Sequence, residues 1–103
     1  MTKRLRSFPP DVLDALRALS LAETLQRLGL FWKRDPTFKP DKSQDTERLY
    51  IDSDSDSGHV IELIVTWPKW YDTHAKKGGG GAIDLAMHLC DLPFVEAVKR
   101  LRL

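Results

Sequence analysis

Cysteine is nearly absent from this chain: among 103 residues the only one is Cys90. A single cysteine excludes an internal disulfide. A chain of this length without cross-links must be held by a mainly hydrophobic core, which is feasible at this size. The composition, 42% hydrophobic and 30% charged, predicts one ordinary soluble domain with a single core.

Long apolar runs and an excess of one charge are also missing. No run approaches the length that spans a bilayer, and the N-terminus lacks the apolar block of a signal peptide. We therefore expect a cytoplasmic protein with no membrane partner. Lys and Arg number 16 against 15 Asp and Glu, for a net charge of +1, without the basic excess of a dedicated duplex binder. Any nucleic-acid site must then be a local patch.

The N-terminal part predicts a mobile arm followed by two helices. Residues 1–8 carry Lys3, Arg4 and Arg6 and form the arm, and residues 9–103 form a single module. A first helix opens at Pro9-Pro10, and its apolar residues recur at helical spacing: Val12, Leu13, Leu16 and Leu19.

A second short helix is predicted by a capping box. The hydroxyl of Ser20 and the carboxylate of Glu23 are spaced to satisfy the first N–H groups of that helix. It should run to about Leu28 and end at Gly29. The segment from Asp35 to Gln44, rich in proline, lysine and aspartate, predicts a loop.

The middle of the chain predicts short antiparallel strands. Residues 46–52 and 59–66 form a hairpin around a turn at 53–58, and the second strand is rich in β-branched residues. Residues 69–72 give a third strand after a break at Pro68.

Four consecutive glycines, Gly78 to Gly81, precede two closing helices separated by Asp91-Leu92. Glycine permits positive φ and close backbone approach, so this run predicts a tight helix entry whose N–H groups, with Lys76 and Lys77, could hold a phosphate near Ala82. A hinge loop with solvated lysines is the competing interpretation. No Gly-Lys-Ser/Thr follows, which excludes a nucleotide-hydrolysing P-loop.

The order of these segments resembles the zinc-binding domain of bacterial replicative primases. The matching pieces are a Gly-Gly-x-Ile-Asp-Leu helix, an Asp-Leu turn, a Phe-x-Glu-Ala-Val-x-x-Leu helix, and the upstream Asp35-Pro36-Thr37-Phe38 segment followed by Leu49-Tyr50. With Trp70-Tyr71-Asp72 before the glycines, the chain is most similar to primase-like modules that front Toprim proteins of plasmids, phages and mobile elements. The resemblance implies an α+β fold: N-terminal helices, a small antiparallel zinc-ribbon-like sheet of three to five strands, and two C-terminal helices packed on the sheet.

The metal ligands of that family are missing from the matching positions. A Cys-x-x-His pair would fall near Leu28 and Phe31, and a Cys-x-x-Cys pair within residues 70–75, where only Asp72 and His74 are possible ligands. A structural zinc ion needs four ligands. His88 and Cys90 are two residues apart on one helix and point about 200° apart, so they cannot share a metal. The resemblance therefore implies a zinc-less derivative with no cofactor and with apolar packing in place of the metal.

Aromatic and basic residues interleave around the third strand, as single-stranded nucleic acid requires for stacking and phosphate neutralisation. Strand alternation puts Trp70 and Asp72 on one face and Lys69 and Tyr71 on the other. Core packing of at least one tryptophan is the competing interpretation. The candidate nucleic-acid-binding residues are Trp67, Lys69, Trp70, Tyr71, Lys76, Lys77, Gly78, Gly79, Gly80 and Gly81.

Other polar groups favour structural roles. Asp52-x-Asp54-x-Asp56 resembles a calcium loop, but Gly58 comes one place late and Leu63 stands where a bidentate Glu belongs, so a hairpin turn is favoured. Asp84 suits the positive end of its helix, and Lys99, Arg100 and Arg102 suit the negative end of theirs. We expect His88 on a helix surface and Cys90 in the core, on one stripe with Ile83 and Met87.

No nucleophile, general base and orienting group stand together in the sequence, so we expect no enzymatic activity and no small-molecule substrate. The function that the resemblance implies is binding of a single-stranded DNA template and its presentation to a Toprim polymerase domain or a replicative helicase. The alternative is a protein-interaction adaptor that docks to a primase, helicase or relaxase without binding DNA.

Overall fold

The structure, a computed structural model, describes residues 8–39, 45–52 and 60–102. In these ranges it has four helices and one antiparallel sheet whose five strands lie side by side in chain order. The predicted α+β fold is confirmed, and no helix in the described ranges has the length and apolarity needed to cross a membrane. The elements are α1 Pro10–Arg17, α2 Leu21–Leu28, β1 Phe31–Arg34, β2 Glu47–Asp52, β3 Val60–Thr66, β4 Lys69–Asp72, β5 Lys77–Gly80, α3 Ala82–Cys90 and α4 Phe94–Leu101.

Helix α2 begins and ends at the predicted signals. The Ser20 hydroxyl accepts the backbone N–H of Glu23 at 3.1 Å, which satisfies one of the N–H groups left open at the helix start. Gly29 closes the helix in the left-handed conformation at φ 71°, which glycine adopts without the steric cost of a Cβ. The local sequence therefore determines both ends of this helix.

The five-stranded sheet is larger than the three strands predicted individually. Strand β1 pairs with β2 and places Trp32 opposite Ile51, and β5 pairs with β4 and places Gly79 opposite Trp70. Both additional strands lie at the edges of the sheet. The glycine run is therefore mostly an edge strand, which corrects its interpretation as a hinge loop.

Close approach of the chain to Trp70 explains the glycines in β5. A Cβ on Gly78 would lie 3.0 Å from the Trp70 carbonyl oxygen, and a Cβ on Gly79 would lie 2.6 Å from the Trp70 indole. Within the run only Gly81, the residue before α3, has positive φ, at 87°. Gly78 and Gly79 thus allow Trp70 to lie close to the backbone, and Gly81 allows the positive φ before α3.

The hydrophobic core lies between the helices and one face of the sheet, which we call the inner face. Leu49, Ile51, Leu63 and Val65 point from this face and are 0% exposed. Helices α3 and α4 cover it with side chains that include Leu85, Val98 and Leu101, and α2 adds Leu25. Arg27 donates to the Leu101 carbonyl oxygen at 2.8 Å, which ties α2 to the end of α4.

Phe8, the last residue of the predicted arm, packs on the module. Phe8 is partly buried against the core, and its ring meets that of Phe94 edge-on at 6.3 Å between centroids. The module therefore includes Phe8. Residues 1–7 of the predicted arm and residues 40–44 of the predicted loop lie outside the described residues. So do the predicted turn 53–58, with Asp54 and Asp56 of the calcium-like pattern, and His59, the first residue of the predicted second strand.

Candidate nucleic-acid interface

The second face of the sheet points away from the helices, and we call it the outer face. Residues directly opposite one another in antiparallel strands point to the same side, so the strand register identifies its members. The outer face carries Phe31, Lys33, Arg48, Tyr50, Asp52, Val60, Glu62, Ile64, Thr66, Lys69, Tyr71, Gly78 and Gly80.

Aromatic and basic side chains on the outer face are open to solvent. Tyr71 is 44% exposed and Phe31 is 78% exposed, and Lys33 and Lys69 are exposed as well. An exposed ring offers a stacking surface to a base, and an ammonium group nearby can neutralise a phosphate. The predicted candidates Lys69 and Tyr71 therefore lie where a single strand could reach them. Phe31 and Lys33 were missed because the sequence did not identify β1 as a strand.

Trp70 must be removed from the predicted set of binding residues. Strand alternation turns it to the inner face, where it is 3% exposed and stacks on the His88 ring at 4.9 Å between centroids. Trp67 is half-buried against the core, and its indole N–H donates to the Leu19 carbonyl oxygen at 3.1 Å. Both tryptophans are core anchors, and Trp70 has no ring face available to a base.

Asp72 and His88 form a buried pair that the sequence did not predict. Their side chains are 7% and 15% exposed, and His88 Nε2 lies 2.7 Å from Asp72 Oδ2. The other carboxylate oxygen, Oδ1, accepts the N–H groups of His74 and Ala75 at 3.0 Å each. Burial opposes the ionisation of Asp72, but the hydrogen bonds from Ala75, His88 and His74 outweigh it and lower the pKa of Asp72. His88 is therefore a packed residue, not the surface residue predicted, and Cys90 is only partly buried.

The Asp72 carboxylate fixes the turn that carries two of the candidate lysines. The turn joins β4 to β5, and within it Lys76 takes φ 57° and donates its N–H to the Asp72 carbonyl oxygen at 2.8 Å. Lys76 and Lys77 are both exposed there. Their backbone positions are thus set by hydrogen bonds to the buried Asp72.

Polar interactions, not the expected apolar packing, lie where the second ligand pair of the primase family would fall. Asp72 bonds to His88 and to two backbone N–H groups. Across residues 8–39, 45–52 and 60–102, no three histidine, cysteine, aspartate or glutamate residues lie close enough together to hold a metal ion.

The predicted phosphate site at the start of α3 is not assembled. Asp84 Oδ2 accepts the Gly80 N–H at 2.9 Å, so the chain places its own carboxylate beside this helix start. A phosphate bound there would be repelled by the negative charge of the Asp84 carboxylate. Lys77 stands at the opposite end of β5 from Gly80, about 10 Å away at strand spacing.

A polar network crosses the outer face beside the candidate residues. Asp35 accepts the hydroxyl of Thr37 at 2.6 Å and its N–H at 2.9 Å, and it accepts two bonds from Arg48 at 2.8 and 3.0 Å. The bonds from Thr37 and then from Arg48 lower the pKa of Asp35 to about 2. Arg48 also lies 3.5 Å from Glu62, which accepts the Thr73 hydroxyl. The network connects the loop after β1 to the turn after β4.

A pocket of about 260 Å³ opens at the end of the outer face formed by β1, β2 and β3. It is lined by Phe31, Trp32, Lys33, Tyr50, Asp52 and Val60. Aromatic rings thus stand together with one carboxylate and one ammonium group. The sequence offered no signal for this pocket, because its residues come from three strands and meet only through strand pairing.

Comparison with known proteins gives limited similarity. No protein-family model matches the chain, and no solved structure matches it. Over 75 residues, 73% of the chain, it is 39% identical to part of a protein described as "65 kDa protein" from Zymomonas mobilis subsp. mobilis. The matched stretch is 10% of that protein, so the chain spans about a tenth of the length of the curated relative it matches.

Proposed function

We propose that this domain binds single-stranded nucleic acid, with single-stranded DNA as its natural ligand, on the outer face of its sheet. The observation that carries the proposal is that no helix of the described residues packs on the outer face, where the exposed aromatic residues Tyr71 and Phe31 share their strands with the exposed lysines Lys69 and Lys33. Stacking on such rings tolerates any base, because every base has a π face. The near-neutral net charge of +1 by itself favours a protein-interaction adaptor, so the support for nucleic-acid binding comes from these local aromatic and basic groups.

The spacing of the two exposed rings suits a strand laid diagonally over the sheet. Phe31 on β1 and Tyr71 on β4 are separated by three strand spacings and by four residues along the strands, which places them about 20 Å apart. Several nucleotides span that distance. Lys69 lies on the same strand as Tyr71, and Lys33 lies on the same strand as Phe31.

Within a larger protein, the domain would supply recognition and leave chemistry to other parts. Following the resemblance to primase zinc-binding domains, it would hold a template in the cytoplasm and present it to a Toprim polymerase domain or a replicative helicase. In this domain the Asp72–His88 pair would hold the turn before β5 in place through hydrogen bonds, as the zinc ligands near this position would in a primase zinc-binding domain.

The test is a titration of a labelled 20-nucleotide single strand by fluorescence anisotropy at several salt concentrations. Lys69→Ala should weaken binding and reduce the slope of log K against log salt by about 0.7, since one phosphate contact is lost. Tyr71→Ala should weaken binding by about 1–3 kcal/mol and leave that slope unchanged, because a stacked ring releases no counterions.

Arg100→Ala is the matched control, because Arg100 is equally exposed but lies on α4, which packs on the inner face. It should change neither affinity nor slope. Failure of the wild-type protein to bind at tens of micromolar, or a loss with Arg100→Ala equal to that with Lys69→Ala, contradicts binding on the outer face.

A protein-interaction adaptor is the second candidate function, and a separate observation favours it. The apolar residues Phe31 and Val60 are 78% and 50% exposed at one end of the outer face. They lie two strands apart, on either side of Asp52, and exposed apolar side chains grouped at one end of a surface commonly mark a protein contact. If oligonucleotides do not bind, the partner to test is a primase, helicase or relaxase, with Phe31→Ser as the variant that should abolish the complex.

A further inference from the structure

The pocket at the end of the outer face combines features that one nucleobase would use. Its volume of about 260 Å³ lies just below the roughly 300–1,000 Å³ of sites for drug-sized ligands. Phe31 and Tyr50 offer ring surfaces, and Val60 adds an apolar wall. The size and the lining suit one flat aromatic ligand.

Two groups of opposite charge, one ammonium and one carboxylate, line different parts of the pocket. Lys33 stands opposite Tyr50, and Asp52 stands opposite both Phe31 and Val60, so the ammonium and the carboxylate lie on neighbouring strands and two residues apart in register. A carboxylate accepts two parallel hydrogen bonds, and an ammonium only donates. A matching ligand presents two adjacent donors on one edge and an acceptor near them.

Guanine is the base with that arrangement. Its Watson–Crick edge carries the N1–H and N2–H₂ donors side by side, and O6 next to them accepts from lysine or arginine. On their corresponding edges adenine and cytosine place an acceptor beside their amino donor, and thymine has one donor between two acceptors. Each of these would put an acceptor against the Asp52 carboxylate.

We propose that this pocket receives one unstacked guanine of the bound single strand, with Asp52 accepting from N1–H and N2–H₂ and Lys33 donating to O6. The inference rests on the proposed function and adds base preference to it. Tyr71 and Lys69 hold the strand without regard to sequence, and the pocket makes one position of the strand specific.

The test compares oligothymidine strands that carry one central guanine, hypoxanthine, adenine or cytosine. Wild-type protein should bind the guanine strand about five-fold or more tightly than the adenine and cytosine strands. Hypoxanthine lacks the N2 amino group and should bind with intermediate affinity. This comparison changes only the ligand, so it does not depend on how any variant folds.

Asp52→Asn should remove the guanine preference and leave the affinity for plain oligothymidine within two-fold, because an amide offers one acceptor and a mismatched donor. Asp11→Asn, an exposed change of the same charge on α1, should keep the preference. Thermal unfolding of both variants confirms that they fold as the wild type does.

Three outcomes overturn the pocket and leave the proposed function standing. Two are equal affinity for all four strands and an unchanged guanine preference in Asp52→Asn. A third is competition by guanosine monophosphate at the concentration of the oligonucleotide itself, which would make the pocket a mononucleotide site. Absence of binding to any strand overturns the proposed function as well.

Discussion

Replacing Gly79 by alanine tests the packing that defines β5. The added Cβ would lie 2.1 Å from Asp84 Oδ2 and 2.6 Å from Trp70 Cζ2, both far inside normal contact. Asp84 can rotate away, but it then loses its bond to the Gly80 N–H. The indole has little room to retreat, because Trp70 is 3% exposed and His88 stacks on it.

The loss in free energy of unfolding caused by Gly79→Ala can be worked out from these two contacts. Overpacking of a well-filled site costs roughly 1–3 kcal/mol, and loss of the Asp84 hydrogen bond costs about 1 kcal/mol. Alanine recovers roughly 0.4–1 kcal/mol because it restricts the unfolded chain more than glycine does. The net loss for Gly79→Ala is about 2 kcal/mol, which lowers Tm by about 8–16 °C in a domain of this size.

Gly80→Ala is the matched control. It changes the neighbouring residue of the same strand, where a Cβ would meet only the Pro68 carbonyl oxygen at 3.9 Å. It should leave Tm unchanged or raise it slightly. Circular dichroism melts of both variants give the comparison, and equal Tm values would refute the argument that Trp70 and Asp84 exclude a side chain at Gly79.

A double-mutant cycle separates the two contacts. Asp84→Ala alone should cost about 1 kcal/mol, because it removes one hydrogen bond. In Gly79→Ala/Asp84→Ala the carboxylate clash is gone, so the combined loss should be smaller than the sum by about 1 kcal/mol. Strict additivity would mean that Asp84 does not restrict this site.

Substitutions at three further residues probe the other contacts. Because the pKa of Asp35 is lowered from 3.8 to about 2, its stabilising effect is complete above about pH 4 and is lost as the pH falls towards 2. Between pH 5 and 2, the urea midpoint of Asp35→Asn should therefore fall less steeply than that of the wild type. Identical slopes for the two proteins would contradict this. Trp67→Phe removes the bond to the Leu19 carbonyl and should lower the free energy of unfolding by about 1 kcal/mol in urea titrations. Asp72→Ala should destabilise the fold more than Asp72→Asn, which keeps an acceptor for the turn, and the reverse order would contradict the capping role of the carboxylate.

The parts of the fold that the sequence predicted are those with local causes. Ser20 and Gly29 determine the ends of α2 through bonds and dihedral angles within a few residues. The alternation of β4 correctly separated Trp70 from Tyr71, because side chains on any strand point alternately to its two faces. The competing interpretation of a tryptophan in the core was confirmed for Trp70.

The parts that were missed depend on residues distant in sequence. Strand β5 lacks β-branched residues and is defined by its pairing with β4, where Trp70 leaves room only for glycine beside it. The Asp72–His88 pair joins residues sixteen apart on a strand and a helix, and no spacing rule connects them. The pocket with Asp52 likewise forms only once β1 is paired to β2.

The contact between α2 and α4 has a consequence for synthesis of the chain. The sheet pairs each strand with its neighbour in sequence, so it can form as the strands leave the ribosome. Leu25 of α2 and Leu101 of α4 are both 0% exposed, and Arg27 bonds to the Leu101 carbonyl. A nascent chain that has finished its sheet therefore still lacks the α4 contacts that help to bury Leu25, and apolar surface left open in that interval favours association with other chains.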